Sequence, residues 1–255
     1  MIRGFLRVVG LTLALGLSST VQAHELIVKP EAMTVQTGAE LRVAVVSTHV
    51  FMISQELEAA KNVKVGFYAD GKRADIAVRP NDKTLTYDGT LTAPTSGTFI
   101  ITGARLPQIW ATTSEGLKQV TGRTPGASDP YQIENFAKAL VNVTAADNGF
   151  STVIGDALEI EPLTNPASIR PGDEMTVKVL FRGKPLATNI YATYDGFSKE
   201  KDTYAYYTEG QTDGTAKVKF THTGLWMVRV QHAVPEQTAD YARYVARAVL
   251  LFEIK

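Results

Sequence analysis

Leu41-Arg42-Val43-Ala44-Val45 carries the clearest fold signal in this chain. Its leucine and valines occupy every second position, which is the period of a strand with one buried and one solvated face. The same alternation recurs at residues 63–67, 175–179 and 218–220. Asp-Gly pairs, which favour tight turns because glycine tolerates positive φ, occur at residues 70–71, 88–89, 195–196 and 213–214. The sequence therefore predicts an all-β fold with several hairpins.

Two segments favour short helices in the N-terminal half. Residues 53–61 offer Ser54 as a cap and Glu56 in the first turn. Residues 128–140 begin with Ser128-Asp129-Pro130 and continue with an apolar face, although residues 139–143 read equally well as a strand. We expect one or two short helices that do not organise the fold.

Prolines mark a connector near residue 165. Pro162, Pro166 and Pro171 lie close together, and proline is disfavoured inside a sheet because it lacks a backbone N–H. The strand pattern then restarts. We expect two β-sandwich-like domains, residues 24–163 and residues 164–255, the second of them immunoglobulin-like or transthyretin-like.

The first 23 residues have the parts of a secretory signal peptide. Arg3 and Arg7 precede an apolar run at residues 8–17, and Val21-Gln22-Ala23 fits a small-x-small cleavage site. We expect cleavage after Ala23, export to the periplasm, and no stable membrane insertion afterwards, because no later stretch is continuously apolar.

The net charge and the cysteine content limit the classes of molecule and ion that the chain is expected to bind. Removing Arg3 and Arg7 from the 26 basic residues leaves 24 against 26 acidic ones, with no long charge run. A near-neutral chain of this kind is not a predicted nucleic-acid binder. The chain has no cysteine, so a metal site would use imidazole, carboxylate, thioether or amine ligands.

Three histidines are the candidate ligands. Cleavage after Ala23 would make His24 the N-terminal residue, which offers an α-amino nitrogen and an imidazole to one ion. His49 shares strand parity with Leu41, Val43 and Val45. His232 shares parity with Trp226, Val228 and Val230. A lone histidine at a strand end is more often a hydrogen-bonded residue at the edge of the core, so the prediction depends on His24.

We predict a transition-metal site formed by His24 with His49, His232 or both. Amine and imidazole ligands suit Ni(II), Co(II) and Cu(II). His222, Met52 and the glutamates at positions 25, 56 and 58 are open as additional ligands or hydrogen-bond acceptors. Because imidazole charges near pH 6.5, we expect weak binding below about pH 6.

Motifs for catalysis are missing. The sequence has no Gly-x-Ser-x-Gly, no His-Glu-x-x-His and no phosphate-binding glycine loop, so we expect no enzyme activity. Two alternatives stay open. One is a copper redox protein or enzyme that holds the ion in a histidine brace, and the other is a structural exported module with incidental histidines.

Several segments, in order along the chain, resemble the DUF4198 family. They are residues 24–30 (HELIVKP), 47–51 (STHVF), 155–162 (GDALEIEP), 183–186 (GKPL) and 224–232 (GLWMVRVQH). The resemblance implies an exported β-rich protein of the kind described as an additional periplasmic component of nickel or cobalt uptake systems. It also implies a membrane uptake transporter, often an energy-coupling-factor system, as partner. His24, His49 and His232 lie at matching positions and are the candidate ligands.

Overall fold

A computed structural model describes residues 24–94, 96–145 and 147–255. The signal-peptide prediction concerns residues 1–23 and lies outside these residues. Within the described part of the chain, no helix is both long and apolar enough to cross a membrane. Regular structure there is almost entirely β, with short 3₁₀ helices at Ala60–Asn62, Asn148–Ser151 and Pro166–Ser168. The all-β prediction is confirmed.

The described residues form eighteen strands. In chain order they are β1 (Glu25–Pro30), β2 (Thr34–Val35), β3 (Glu40–Thr48), β4 (Val63–Ala69), β5 (Lys72–Asp75), β6 (Val78–Asn81), β7 (Thr86–Thr92), β8 (Gly97–Thr113), β9 (Gly116–Val120), β10 (Ser128–Val143), β11 (Leu158–Pro162), β12 (Glu174–Phe181), β13 (Lys184–Pro185), β14 (Asn189–Tyr194), β15 (Tyr206–Glu209), β16 (Thr215–Lys219), β17 (Gly224–Pro235) and β18 (Arg243–Ile254).

The strands build three sheets. The N-terminal sheet has the order β1-β3-β7-β6. The central sheet has ten strands in the order β15-β14-β17-β18-β10-β8-β4-β5, with β2 added to β10 and β9 added to β8. The C-terminal sheet contains β11, β12, β13 and β16.

Two apolar cores lie on opposite faces of the central sheet. The first joins it to the N-terminal sheet and includes Val249 and Leu251 of β18. The second joins it to the C-terminal sheet and includes Leu250 and Phe252 of the same strand. Because successive side chains of a strand point to opposite faces, β18 contributes to both cores.

The central sheet links the two predicted domains. Strand β10 pairs with β18 in parallel from Tyr131–Arg243 to Ala139–Leu251, so strands from both sides of the predicted boundary share one sheet. The division at residues 163 and 164 stays a prediction. Alternation identifies strands but does not say which strands pair, and so it could not foresee this connection.

Neither predicted helix forms. Residues 128–140 belong to strand β10, which is buried on both faces. Apolar residues on both faces of a strand resemble the apolar face of a helix in sequence, which explains the error. Ile53 forms an isolated β-bridge with Val50, residues 54–59 are irregular, and Ala60–Asn62 makes a single 3₁₀ turn.

Candidate metal centre

His24 lies immediately before β1 and is placed by the central sheet. Its carbonyl oxygen accepts hydrogen bonds from Arg105 Nη2 at 2.8 Å and from Asn135 Nδ2 at 3.0 Å. Its side chain is 24% exposed, so the ring lies at the edge of the core. The start of β1 is therefore fixed by side chains from β8 and β10.

Strand register brings His49 opposite His24. Strand β1 pairs antiparallel with β3, and Glu25 is the partner of Thr48. One step further along this register, residue 24 faces residue 49. The two imidazole rings lie with their centroids 4.2 Å apart and their planes inclined by 39°. The predicted association of these two histidines is thus present.

Two carboxylates approach these rings from irregular segments. Glu56 Oε2 lies 2.9 Å from His24 Nδ1, in the segment that follows β3. Asp202 Oδ1 lies 3.5 Å from His49 Nδ1, and the Asp202 N–H donates to the His49 carbonyl at 2.9 Å. Glu56 was among the open candidates from sequence, whereas Asp202 was missed because a loop residue in the other half of the chain has no periodic signal.

The electrostatic environment keeps the His24 ring neutral. Burial, followed by the charges of His49, Arg105, Lys201 and Arg247, lowers the pKa of His24 to about 4. Burial and the neighbouring Glu58 raise the pKa of Glu56. A neutral imidazole has a free lone pair, which a metal ion needs. At neutral pH His24 therefore does not have to lose a proton before it binds a metal ion.

A buried ionic layer surrounds Glu25, the residue that follows His24 in the chain. Glu25 Oε1 accepts from Arg229 Nε at 2.8 Å and lies 3.4 Å from Arg247 Nη1. Burial opposes ionisation of Glu25, but these two guanidinium groups outweigh it and lower its pKa. Arg105 forms a 2.8 Å ion pair with Glu58. Sequence reasoning missed the roles of Arg229 and Arg247, which depend on which strands become neighbours, and it placed Arg105 in a loop, whereas Arg105 lies on β8.

His232 is not brought to this site. It lies on β17, where its ring packs against Phe181 at 4.7 Å between centroids. Arg229 and Gln231 of the same strand reach the ionic layer around Glu25, whereas Val228 and Val230 face the second core. By strand parity His232 belongs with those valines, on the opposite face of the central sheet from His24.

The remaining sequence candidates lie elsewhere or stay peripheral. His222 is exposed and stacks on Tyr194 at 4.3 Å between ring centroids. Met52 packs against the first core. Glu58 is held by Arg105 and by the Ser47 hydroxyl, which donates to it at 2.8 Å.

A transition-metal ion needs several donor atoms at short, defined separations. Two ligand atoms that bind one ion at about 2.0–2.1 Å are separated by about 2.9–3.4 Å, depending on geometry. The 2.9 Å between His24 Nδ1 and Glu56 Oε2 falls in this range. Among the described residues, however, no group of three or more histidine, aspartate or glutamate side chains is arranged to hold a metal ion. The described side chains therefore do not form a complete metal site by themselves.

Comparisons with known proteins identify a family for this chain and several solved structures that resemble it. A family model described as "Domain of unknown function (DUF4198)" matches residues 21–234. A search of curated proteins finds no match.

Solved structures similar to the chain include the D0-D1 domain of Intimin, with 14% identity, coverage of 88% of this chain and 96% of that chain, and a TM-score of 0.23. A DUF4785 family protein from Legionella pneumophila has 8% identity, 80% and 50% coverage, and a TM-score of 0.27. The Yersinia pseudotuberculosis adhesin InvE has 12% identity, 90% and 58% coverage, and a TM-score of 0.24. The chain thus corresponds to about half the length of the latter two.

Proposed function

We propose that this chain, which belongs to the DUF4198 family, is a periplasmic protein that binds a transition-metal ion through His24 and His49 and supplies nickel or cobalt to a membrane uptake system. The observation that carries the proposal is the His24–His49 ring pair, with centroids 4.2 Å apart and a carboxylate beside each ring. Glu56 orients the His24 ring through Nδ1, whereas His49 Nδ1 is buried and has no hydrogen-bond partner among the described residues.

The donor that the side chains do not supply is the α-amino nitrogen of His24. If export removes residues 1–23, His24 offers this nitrogen and its imidazole Nδ1 to the same ion, and His49 adds a second imidazole. In that arrangement Nδ1 exchanges its contact with Glu56 for the ion, and Glu56 becomes either a further ligand or an acceptor for metal-bound water. The site would thus gain its third donor from the main chain.

The choice of Ni(II) or Co(II) rests on the family resemblance, since nitrogen and oxygen donors alone do not exclude Cu(II). Cu(II) binds most N/O sites more tightly than Ni(II) or Co(II), so selectivity would follow from geometry and supply. The histidines at positions 24 and 49 are also the donors that a copper histidine brace would use. Oxygen consumption by copper-loaded protein with a reductant would favour that second candidate over delivery.

Titration calorimetry of protein that begins at His24 tests the proposal. We expect micromolar or tighter binding of Ni(II), Co(II) or Cu(II), and its loss in His24→Ala and in His49→Ala. His232→Ala is the matched control, because His232 is also partly buried but lies on the other face of the central sheet. Absence of binding in the unmodified protein, or an equal loss in His232→Ala, would contradict the proposed site.

A further inference from the structure

The backbone of His24 is held by two buried side chains. Arg105 and Asn135 both donate to its carbonyl oxygen, at 2.8 and 3.0 Å. They are paired residues on neighbouring strands β8 and β10, so one rung of the central sheet provides both donors. Arg105 is 3% exposed and Asn135 is 1% exposed. Residue 24 is therefore fixed from inside the protein, although it precedes the first strand.

Burial of Arg105 and Asn135 lowers the stability of the folded protein in one respect. Arg105 Nε and Asn135 Oδ1 are buried and have no hydrogen-bond partner. Buried polar atoms without partners cost free energy, and two apolar side chains on the same rung would avoid that cost. What Arg105 and Asn135 share is the carbonyl oxygen of His24, which both of them bind.

Further contacts fix the side chain of Arg105. The Arg105 guanidinium forms a 2.8 Å ion pair with Glu58, and Glu58 in turn accepts from the Ser47 hydroxyl at 2.8 Å. Ser47 lies on β3, two residues before His49. The network thus connects the backbone of residue 24 with the strand that ends beside His49, which fixes the two histidines relative to each other.

We propose that Arg105 and Asn135 are positioning residues, which hold the main chain of residue 24 so that its nitrogen donors meet the His49 ring. This inference rests on the proposed metal-binding function. Chain termini ordinarily fray, and a chelate between an α-amine and its own imidazole requires one backbone and rotamer combination. Fixing that combination before the ion arrives reduces the entropy lost on binding. Residues that orient ligands in this way typically change metal affinity by about 10–100-fold when they are replaced.

The test uses Asn135→Leu in protein that begins at His24. Leucine keeps a similar volume and removes the donor. Asn142→Leu is the matched control, because Asn142 lies on the same strand and accepts from Thr98 at 2.8 Å, near the other end of β10. Two quantities are measured: the affinity for Ni(II) by calorimetry, and the backbone order of His24 in metal-free protein by NMR relaxation. Arg105→Lys, which keeps a positive charge beside Glu58, is measured in parallel and carries the test if Asn135→Leu does not fold.

We expect Asn135→Leu to raise the mobility of His24 and to weaken Ni(II) binding by about 10–100-fold, with Asn142→Leu at the level of the unmodified protein. If the unmodified protein binds Ni(II) and both Asn135→Leu and Arg105→Lys bind it equally well, the positioning role is wrong and the metal site stands. If the unmodified protein binds none of Ni(II), Co(II) and Cu(II), the proposed function fails and takes this inference with it. Unchanged order of His24 in the variants would also overturn the positioning role.

Discussion

At the scale of single residues, His24, His49 and Glu56 could be named from the sequence, whereas Asp202 could not. Strand parity placed His49 at the end of an apolar face, and the leader motif drew attention to His24. Strand parity made His232 an equally good ligand candidate. Parity shows on which face of a strand a side chain lies, but not which sheet packs against that face. The structure separates the two cases: His49 meets His24 across the β1–β3 register, whereas His232 lies against Phe181.

The lowered pKa of His24 predicts a pH dependence of stability in metal-free protein. Its folded pKa is about 4, whereas an unfolded histidine has a pKa near 6.5. Between these values the unfolded chain binds the proton more readily, so acid favours unfolding. The stability contribution is complete above about pH 6.5 and is lost as the pH falls towards 4.

Urea denaturation of unmodified protein and His24→Ala at pH 7 and at pH 4.5 measures this effect. We expect the free energy of unfolding to fall less steeply with acid in His24→Ala, because the variant has no imidazole to protonate on unfolding. His222→Ala, which removes an exposed histidine, serves as the control and should follow the unmodified protein. Parallel curves for all three proteins would contradict the burial of a neutral His24.

At the scale of the elements, β1 reaches its position through a close contact with β8. A Cβ atom at Gly103 would come within 2.4 Å of Val28 Cγ1, so only glycine allows β1 to lie this close to the central sheet. The sequence identified the strands around residues 41–45 and 63–67, but it gave no sign of this contact. Glycine inside a strand marks close approach of another chain segment, and the identity of that segment depends on the tertiary fold.

Replacement of Gly103 tests how β1 positions the candidate site. We expect Gly103→Val to destabilise the protein by about 1–3 kcal/mol, because overpacking forces β1 away from β8. Since His24 immediately precedes β1, the same variant should also weaken metal binding. Chemical denaturation and calorimetry check the two effects. Unchanged stability would mean that β1 does not depend on this close approach.

At the scale of the whole molecule, the central sheet contains strands from both predicted domains. The faces of β17 and β18 that carry Met227, Val249 and Leu251 pack into the first core, with the N-terminal sheet. The sequence predicted an all-β chain because alternation is a local property. It did not predict a sheet shared by both halves, because pairing between β10 and β18 is set by contacts far apart along the chain.

Differential scanning calorimetry should therefore detect one transition. We expect the calorimetric enthalpy of unfolding to equal the van 't Hoff enthalpy, as in a two-state protein. Residues 164–255 expressed alone should fail to fold, because the apolar side of β17 and β18 would face water. Two resolved transitions, or a stable isolated C-terminal half, would support the independent domains that the prolines near residue 165 indicate.

The parallel pairing of β10 with β18 also constrains the order of events after synthesis. Tyr131 pairs with Arg243, which is far away in the sequence. The edge of β10 that faces β18 cannot complete its hydrogen bonds until β18 is in place. Contacts between residues so distant in sequence form slowly, because the entropy of closing the long intervening loop is lost before the contacts stabilise the chain. During that interval β10 presents an open, apolar strand edge that other chains can join. The central sheet is therefore complete only when β18 pairs with β10, and until then the open edge of β10 favours aggregation.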